Sequence, residues 1–131
     1  MIKAILFGSG GQLGISLINN LPKNINIYAF SKNDLDITNY DLVKHTIEKI
    51  NPEVVINCGA YTDVDGCEVN QKNAFLVNSE APKYLSILLN KKNILFIHIS
   101  SDYVFEGKDN YFYNEEDQAN PVSTYGQSKL N

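Results

Sequence analysis

Short apolar runs alternate with longer amphipathic segments along the chain. Four such runs stand directly before a glycine, serine or asparagine: Ile2–Phe7, Ile25–Phe30, Val54–Ile56 and Ile94–Ile99. Short runs that are mainly apolar and rich in branched residues are typical of strands buried in a parallel sheet. The pattern therefore predicts four strands.

The segments between these runs have apolar residues at helical spacing. The first opens at Leu13 and is stopped by Pro22, since proline cannot continue a helix. The second, Asn39–Ile50, ends before an Asn-Pro pair, and the third, Cys67–Asn90, is predicted to be helical with a break near Asn78–Pro82.

Strands that alternate with helices indicate an α/β fold. We predict a Rossmann-type, doubly wound parallel sheet of four strands, with right-handed crossovers and strand order 3-2-1-4. At 131 residues the chain is long enough for one domain.

The composition of the chain excludes several classes of binding partner. The net charge is −4, which argues against a nucleic-acid or anionic-membrane surface, and no apolar stretch approaches membrane-spanning length. The N-terminal apolar run is interpreted as a strand and not as a signal peptide. All 11 basic residues are lysines, so a side chain that binds phosphate must be a lysine. The two cysteines and two histidines are not clustered, so neither a metal site nor a disulfide is predicted, and we expect a cytoplasmic protein.

A glycine-rich turn joins the first strand to the first helix. Gly8, Gly11 and Gly14 keep G-x-x-G-x-x-G spacing. Glycine permits positive φ and close approach of the backbone, and a helix N-terminus binds pyrophosphate through its free N–H groups. A turn without a ligand is the alternative, but the position between strand and helix favours dinucleotide binding.

The end of the second strand carries no carboxylate for the ribose hydroxyls. Ser31 and Lys32 stand there instead and could accept a 2′-phosphate, so we predict NADPH in preference to NADH. Asp36-Ile37 either forms an Asp turn or cap before the next helix or flanks the adenine.

The loop after the third strand, Gly59-Ala60-Tyr61, contains small residues that allow a cofactor to pass close to the backbone. Asp63, Asp65 and Glu68 follow it. We interpret these carboxylates as helix caps and turn residues and not as metal ligands.

Three Tyr-x-x-x-Lys pairs occur, at Tyr28, Tyr40 and Tyr125. Only Tyr125/Lys129 follows a strand that ends in Ser-Ser-Asp, and Ser123 is placed to cap a helix that carries both residues on one face. A phenol with a neighbouring ammonium can deliver a proton to an alkoxide left by hydride transfer.

The other candidate residues lie at the end of the fourth strand. Ser101 would hydrogen-bond the carbonyl oxygen of a substrate, with Ser100 as its competitor for that role. Asp102 would bond substrate or fix the loop. His98 alternates with isoleucines and is interpreted as a packed strand residue.

With these motifs the chain resembles the dTDP-4-dehydrorhamnose reductase family of extended short-chain dehydrogenases/reductases. The resemblance rests on LFGSGGQLG, LDITN, NPEVVINCGAYTDVDGCE, the Ala74…Val77-Asn78 stretch, ISSDYVFEG and NPVSTYGQSKL. It implies reduction of a nucleotide-linked 4-keto-6-deoxy sugar with NAD(P)H. Tyr125 would be the proton donor, with Lys129 as its partner, and Ser101 and Asp102 would contact substrate. Cofactor contacts would come from Gly11-Gln12-Leu13, Asp36-Ile37 and Gly59-Ala60-Tyr61.

Family members are roughly twice this length, and they often have Thr where this chain has Ser101. We therefore expect residues 1–131 to form an NAD(P)-binding Rossmann domain that is incomplete at its C-terminal end and lacks the substrate domain. Such a chain would expose an apolar sheet edge at its fourth strand and would be inactive alone.

Two other functions remain open at the level of sequence. One is a non-catalytic NADP-binding subunit resembling the β subunit of methionine adenosyltransferase. The other is a related sugar-nucleotide epimerase or dehydratase. A homodimer is compatible with all three interpretations.

Overall fold

Strands and helices alternate along the chain as the hydrophobic pattern predicts. The structure is a computed structural model that describes all 131 residues. Its strands are β1 (Ile2–Phe7), β2 (Ile25–Phe30), β3 (Val54–Asn57) and β4 (Leu95–His98). Its α-helices are α1 (Gln12–Asn19), α2 (Tyr40–Ile50), α3 (Val64–Val69), α4 (Gln71–Phe75), α5 (Ala81–Asn90) and α6 (Thr124–Leu130). A π-helical turn, Leu76–Glu80, joins α4 to α5, and a 3₁₀ turn, Asp102–Val104, follows β4.

The four strands form one parallel sheet in the order β2-β1-β3-β4. The predicted order 3-2-1-4 is wrong, because β3 pairs with β1, with Phe7 opposite Asn57. The segment after β2 explains the difference: it buries Leu35 and Ile37 in the core without forming a strand. β2 therefore remains an edge, and α2 returns the chain past β1. Crossover handedness fixes the face on which a helix lies, but not which strand the next one joins.

The main core lies between the sheet and two helices. Successive strand residues point to opposite faces, so Ile5, Phe7 and Val55 face the same side. They pack against buried residues of α2 and α5: Val43, Ile47, Leu85 and Leu89. The chain reverses direction across the sheet after β2, which puts α1 on the other face.

The long helical segment is interrupted at a different place from the one predicted. Near Asn78–Pro82 the chain stays helical, because the π-helical turn runs directly into α5 and Pro82 lies just after their junction. The break lies at Asn70 instead, which leaves helical geometry and accepts a bond from the Asn73 N–H.

β4 forms the other edge of the sheet, as predicted. Leu95 is 58% exposed and Ile97 is 41% exposed. Because both side chains project from the same face of this strand, one face of the edge is apolar and open.

Candidate active site

One cleft opens at the carboxyl ends of the strands and has a volume of about 940 Å³. This is the edge at which parallel α/β sheets bind ligands. Every residue predicted to contact a cofactor lies in its wall: Gly8, Gly11, Gln12, Leu13, Gly14, Lys32, Asp36, Ile37, Gly59, Ala60, Tyr61 and Lys129. Tyr125 and Ser100 line it as well, whereas Ser101 and Asp102 do not.

The glycine loop has no room for side chains at two of its three predicted positions. Gly8 has a φ of +79°, and a Cβ there would meet the backbone N of Gly59. A Cβ on Gly14 would overlap the carbonyl oxygen of Gly8. The backbone is therefore bare where β1 passes into α1, and no side chain caps the N–H groups of α1. Such a bare helix N-terminus is suited to a pyrophosphate.

Two buried polar residues hold the loop after β3 against this turn. Asn57, which is fully buried, accepts a 2.9 Å bond from the Gly59 N–H through Oδ1. Its Nδ2 lies 3.2 Å from Nδ1 of His98. Since the amide nitrogen can only donate, Nδ1 of His98 is the acceptor and its ring proton is on Nε2.

The electrostatic surroundings of His98 keep it neutral. Burial, with a smaller contribution from the positive charge of Lys129, lowers the pKa of His98 to about 4. Its ring stacks on Phe96. His98 is thus a packed strand histidine, as its alternation with isoleucines predicts, and it also supports Asn57.

Helix α6 presents the Tyr/Lys pair to the cleft. Ser123 caps the helix by accepting a 3.0 Å bond from the Gly126 N–H, as predicted. Tyr125 and Lys129 are each only 9% exposed. Nζ of Lys129 donates a 2.6 Å bond to the carbonyl oxygen of Ile99 at the end of β4, and burial lowers the pKa of this ammonium.

Glu68 anchors the start of α6 and does not cap its own helix. Its two carboxylate oxygens accept from the N–H and the hydroxyl of Thr124, both at 2.7 Å. These bonds lower the pKa of Glu68. Asp63 does have the predicted capping role, because its carboxylate accepts from the Gly66 N–H at the start of α3.

Asn78 ties the loop after β3 to α6. It accepts from the N–H of Tyr61 at 2.8 Å and donates to the carbonyl of Tyr61 at 3.0 Å and to the hydroxyl of Ser128 at 2.9 Å. The predicted site did not include Asn57, Asn78 or the Glu68–Thr124 contact. A signal for Asn78 exists in the sequence, because it shares a helical spacing with the buried Ala74, Ala81 and Leu85.

The serines after β4 differ in position. Ser100 lines the cleft, whereas the Ser101 hydroxyl oxygen accepts from the Tyr103 N–H at 3.1 Å and caps the 3₁₀ turn. The same hydroxyl lies 3.3 Å from a carboxylate oxygen of Asp102. Tyr103 also packs edge-on against the Tyr125 ring, with 5.3 Å between centroids.

Lys32 and Asp36 lie at the opposite end of the cleft from α6. The ion pairs of the structure join Lys92 to Glu48 and Lys108 to Glu106, so Lys32 is free to meet an anion. Asp36 accepts two bonds from Thr38 and so forms the turn considered for it, whereas the residue that caps α2 is Asn39, which accepts from the Leu42 N–H. No group of three or more His, Cys, Asp and Glu side chains is arranged to hold a metal ion. No helix combines the length and apolar character needed to cross a membrane.

Known proteins are similar to this chain in sequence. A family model described as the RmlD substrate binding domain matches residues 2–131. The dTDP-4-dehydrorhamnose reductase of Aggregatibacter actinomycetemcomitans is 39% identical over 98% of this chain and 45% of its own length. A probable low-salt glycan biosynthesis reductase of Haloferax volcanii is 45% identical over 97% of this chain and 46% of its own length. The chain thus spans about half the length of these curated relatives.

Solved structures agree with this relationship. A dTDP-4-dehydrorhamnose reductase from Bacillus anthracis, solved in complex with NADP, gives a TM-score of 0.94 at 35% identity, covering 98% of this chain and 46% of that one. A UDP-glucose 4-epimerase from Stenotrophomonas maltophilia gives 0.84 at 14% identity, over 99% of this chain and 46% of that one, and shows a shared fold alone. The chain therefore belongs to the RmlD family, the family of the dTDP-4-dehydrorhamnose reductases.

Proposed function

We propose that the cleft binds NAD(P)H and that the protein reduces a nucleotide-linked 4-keto-6-deoxy sugar of the dTDP-4-dehydrorhamnose type. The observation that carries the proposal is the position of Tyr125 and Lys129. Both are almost buried in the wall of the same cleft that the bare glycine loop opens. The names of the relatives favour a reductase over a non-catalytic subunit or an epimerase.

The cleft has the features that a dinucleotide needs. The pyrophosphate would rest on the backbone of the Gly8–Gly14 turn and on the N-terminus of α1. The adenosine end would lie near Lys32 and Asp36, and the nicotinamide end near Lys129. When bound, the cofactor supplies the hydride.

Tyr125 is the proton donor in this proposal. Hydride addition to a carbonyl leaves an alkoxide, which takes the phenolic proton of Tyr125. The ammonium of Lys129 favours the phenolate that remains. Its bond to the Ile99 carbonyl fixes its position relative to the sheet, so the pair is held in place before a substrate arrives.

Ser101 is proposed to orient the substrate carbonyl, with Asp102 as a substrate contact. For this, the Ser101 hydroxyl must turn its proton away from Asp102 and toward the substrate oxygen. Ser100, which already lines the cleft, is the competing donor. Ser101→Ala and Ser100→Ala variants distinguish them, because only loss of the orienting hydroxyl lowers kcat for reduction.

Cofactor binding is tested on the chain itself by titrating NADPH and NADH and following their fluorescence. We expect binding of both, with NADPH bound more tightly. Gly14→Ala should abolish it, because the added Cβ displaces the turn. If neither NADPH nor NADH binds to the folded chain, the proposal is overturned.

Turnover is tested on a chimera of residues 1–131 with the C-terminal half of the Aggregatibacter reductase. The chimera should oxidise NADPH when given the 4-keto sugar nucleotide, and Tyr125→Phe should lower kcat by about 10²-fold or more. NADPH binding is the control, because the Tyr125 ring stays against Tyr103 in the variant. Unchanged turnover in Tyr125→Phe removes this residue from the mechanism.

A further inference from the structure

The turn that follows β2 contains a carboxylate that the sequence analysis left without a role. Oδ2 of Asp34 accepts two bonds from Ser31, one from its N–H at 2.9 Å and one from its hydroxyl at 2.6 Å. The Asp34 N–H in turn donates to the Ser31 carbonyl at 3.1 Å. The two bonds from Ser31 lower the pKa of Asp34, so the group is ionised at neutral pH.

This turn stands beside the glycine loop. The carbonyl of Phe30 accepts from the N–H groups of Gly8 and Ser9, which joins the end of β2 to the loop. Cβ of Ser31 lies 3.7 Å from the place that a Cβ on Gly10 would occupy, and Ser31 and Lys32 both line the cleft. A dinucleotide whose pyrophosphate rests on the loop therefore has its adenosine ribose at Ser31, since this strand end meets the ribose 2′ position in folds of this type.

The direction of the Ser31 hydroxyl decides what it can offer to that ribose. A hydroxyl has one proton, and Ser31 gives it to Asp34, so only lone pairs remain for the cleft. A ribose 2′-hydroxyl can donate to these lone pairs. A 2′-phosphate only accepts, so it gains nothing from Ser31 in this state and is also repelled by the carboxylate behind it. The positive charge of Lys32 attracts the same 2′-phosphate and so opposes the repulsion by Asp34.

We propose that Asp34 is a specificity-determining residue that weakens the selection of a 2′-phosphorylated dinucleotide by holding Ser31 as an acceptor. Lys32 and Asp34 act in opposite directions on the same phosphate, so the chain accepts NADH as well as NADPH. This inference rests on the proposed function of the cleft as a dinucleotide site.

The test compares dissociation constants of NADPH and NADH for the wild-type chain and for Asp34→Asn and Asp34→Ala. Asp34→Asn removes the charge but keeps an oxygen that can accept the hydrogen bonds of the turn. A change in the ratio in this variant is therefore not explained by loss of the folded turn. Asp34→Ala also frees the Ser31 proton. Both variants should raise the ratio Kd(NADH)/Kd(NADPH) by about fivefold, chiefly through tighter NADPH binding, and the effect of Asp34→Asn should shrink at high salt.

Two variants serve as controls. Glu48→Gln removes a carboxylate from α2, where Glu48 pairs with Lys92, and should leave the ratio unchanged. Ser31→Ala removes the acceptor and should weaken NADH without strengthening NADPH. If both dinucleotides bind and the Asp34 variants keep the wild-type ratio, the inference alone is overturned. If neither dinucleotide binds to the folded wild-type chain, the proposed cleft function fails together with it.

Discussion

Nδ2 of Asn78 donates a 2.9 Å hydrogen bond to Oγ of Ser128, 50 residues further along the chain. Asn78 lies in the π-helical turn before α5, and Ser128 lies in the helix that carries Tyr125 and Lys129. The Ser128 hydroxyl in turn donates a 2.7 Å hydrogen bond to the Tyr125 carbonyl. One amide therefore sets the position of α6 relative to the loop after β3.

Asn78→Ala should destabilise the chain by about 2 kcal/mol, because it removes the side-chain partner of the Tyr61 N–H and the donor to the buried Ser128 hydroxyl. Thermal or urea unfolding measures the effect. Asn20→Ala is the matched control: the Asn20 side chain bonds the Ser16 carbonyl at an exposed position, and its loss should cost no more than about 0.5 kcal/mol. Equal effects of the two variants would contradict this role of Asn78.

The Glu68–Thr124 contact should make stability depend on pH in the acidic range. The pKa of Glu68 in the folded chain lies below its usual value of 4.5, so its contribution is complete above that pH and is lost as the pH falls through the folded value. The wild type should therefore be more stable than Glu68→Gln at neutral pH, and the difference should disappear in acid.

Urea unfolding of both chains at a series of pH values measures this difference. Glu115→Gln, at an exposed loop position, is the control for the removal of one carboxylate. A Glu68→Gln difference that persists undiminished at low pH would show that the charge of Glu68 has no part in it.

His98 should contribute a second pH dependence in a higher range. Its folded pKa is about 4 against a usual value of 6.5, so between these values an unfolded chain binds a proton that the native chain excludes. Native stability should therefore decrease as the pH is lowered from 6.5 to 4. His98→Gln keeps an acceptor for Asn57 and cannot titrate, so its stability profile should be flatter in this interval; an unchanged profile would contradict the prediction.

The two glycines of the cofactor turn should respond differently to alanine. A Cβ on Gly14 overlaps the Gly8 carbonyl oxygen, whereas one on Gly10 meets only Cβ of Ser31 at 3.7 Å, an ordinary contact. Gly14→Ala should cost more than about 1 kcal/mol, while Gly10→Ala should lie within about 0.5 kcal/mol of the wild type. Thermal unfolding of the two variants, which differ only in the site of one methyl group, checks this contrast.

The features that were predicted correctly are determined by short stretches of chain. The bounds of β1 and β2 follow from apolar runs that end at Gly8 and Ser31, and the start of α6 follows from the capping residue Ser123. Each depends on residues within a few positions of itself. Much of the cleft wall could be predicted for the same reason, because the Gly8–Gly14 turn, the segment after β2 and the loop after β3 each directly follow a strand.

The strand order and the polar contacts that fix α6 could not be predicted in this way. The order depends on whether the segment containing Leu35 and Ile37 adds a strand beside β2, and its apolar residues satisfy a buried loop equally well. The bonds from Glu68 and Asn78 to α6 join residues that are at least 50 positions apart, so no local sequence pattern indicates them. For Asn78 the sequence contains two partial signals, its helical spacing with apolar residues and its place in a stretch that resembles the family.

The long-range hydrogen bonds that hold α6 have a consequence for the order in which the chain folds. The helix has seven residues, too few to persist in water by itself. Its anchors reach back 56 residues to Glu68, 50 to Asn78 and 30 to Ile99, so each requires a different part of the fold to be in place. We therefore expect Tyr125 and Lys129 to come together late in folding. A partly folded chain could expose its glycine turn, but it would have no organised proton donor beside it.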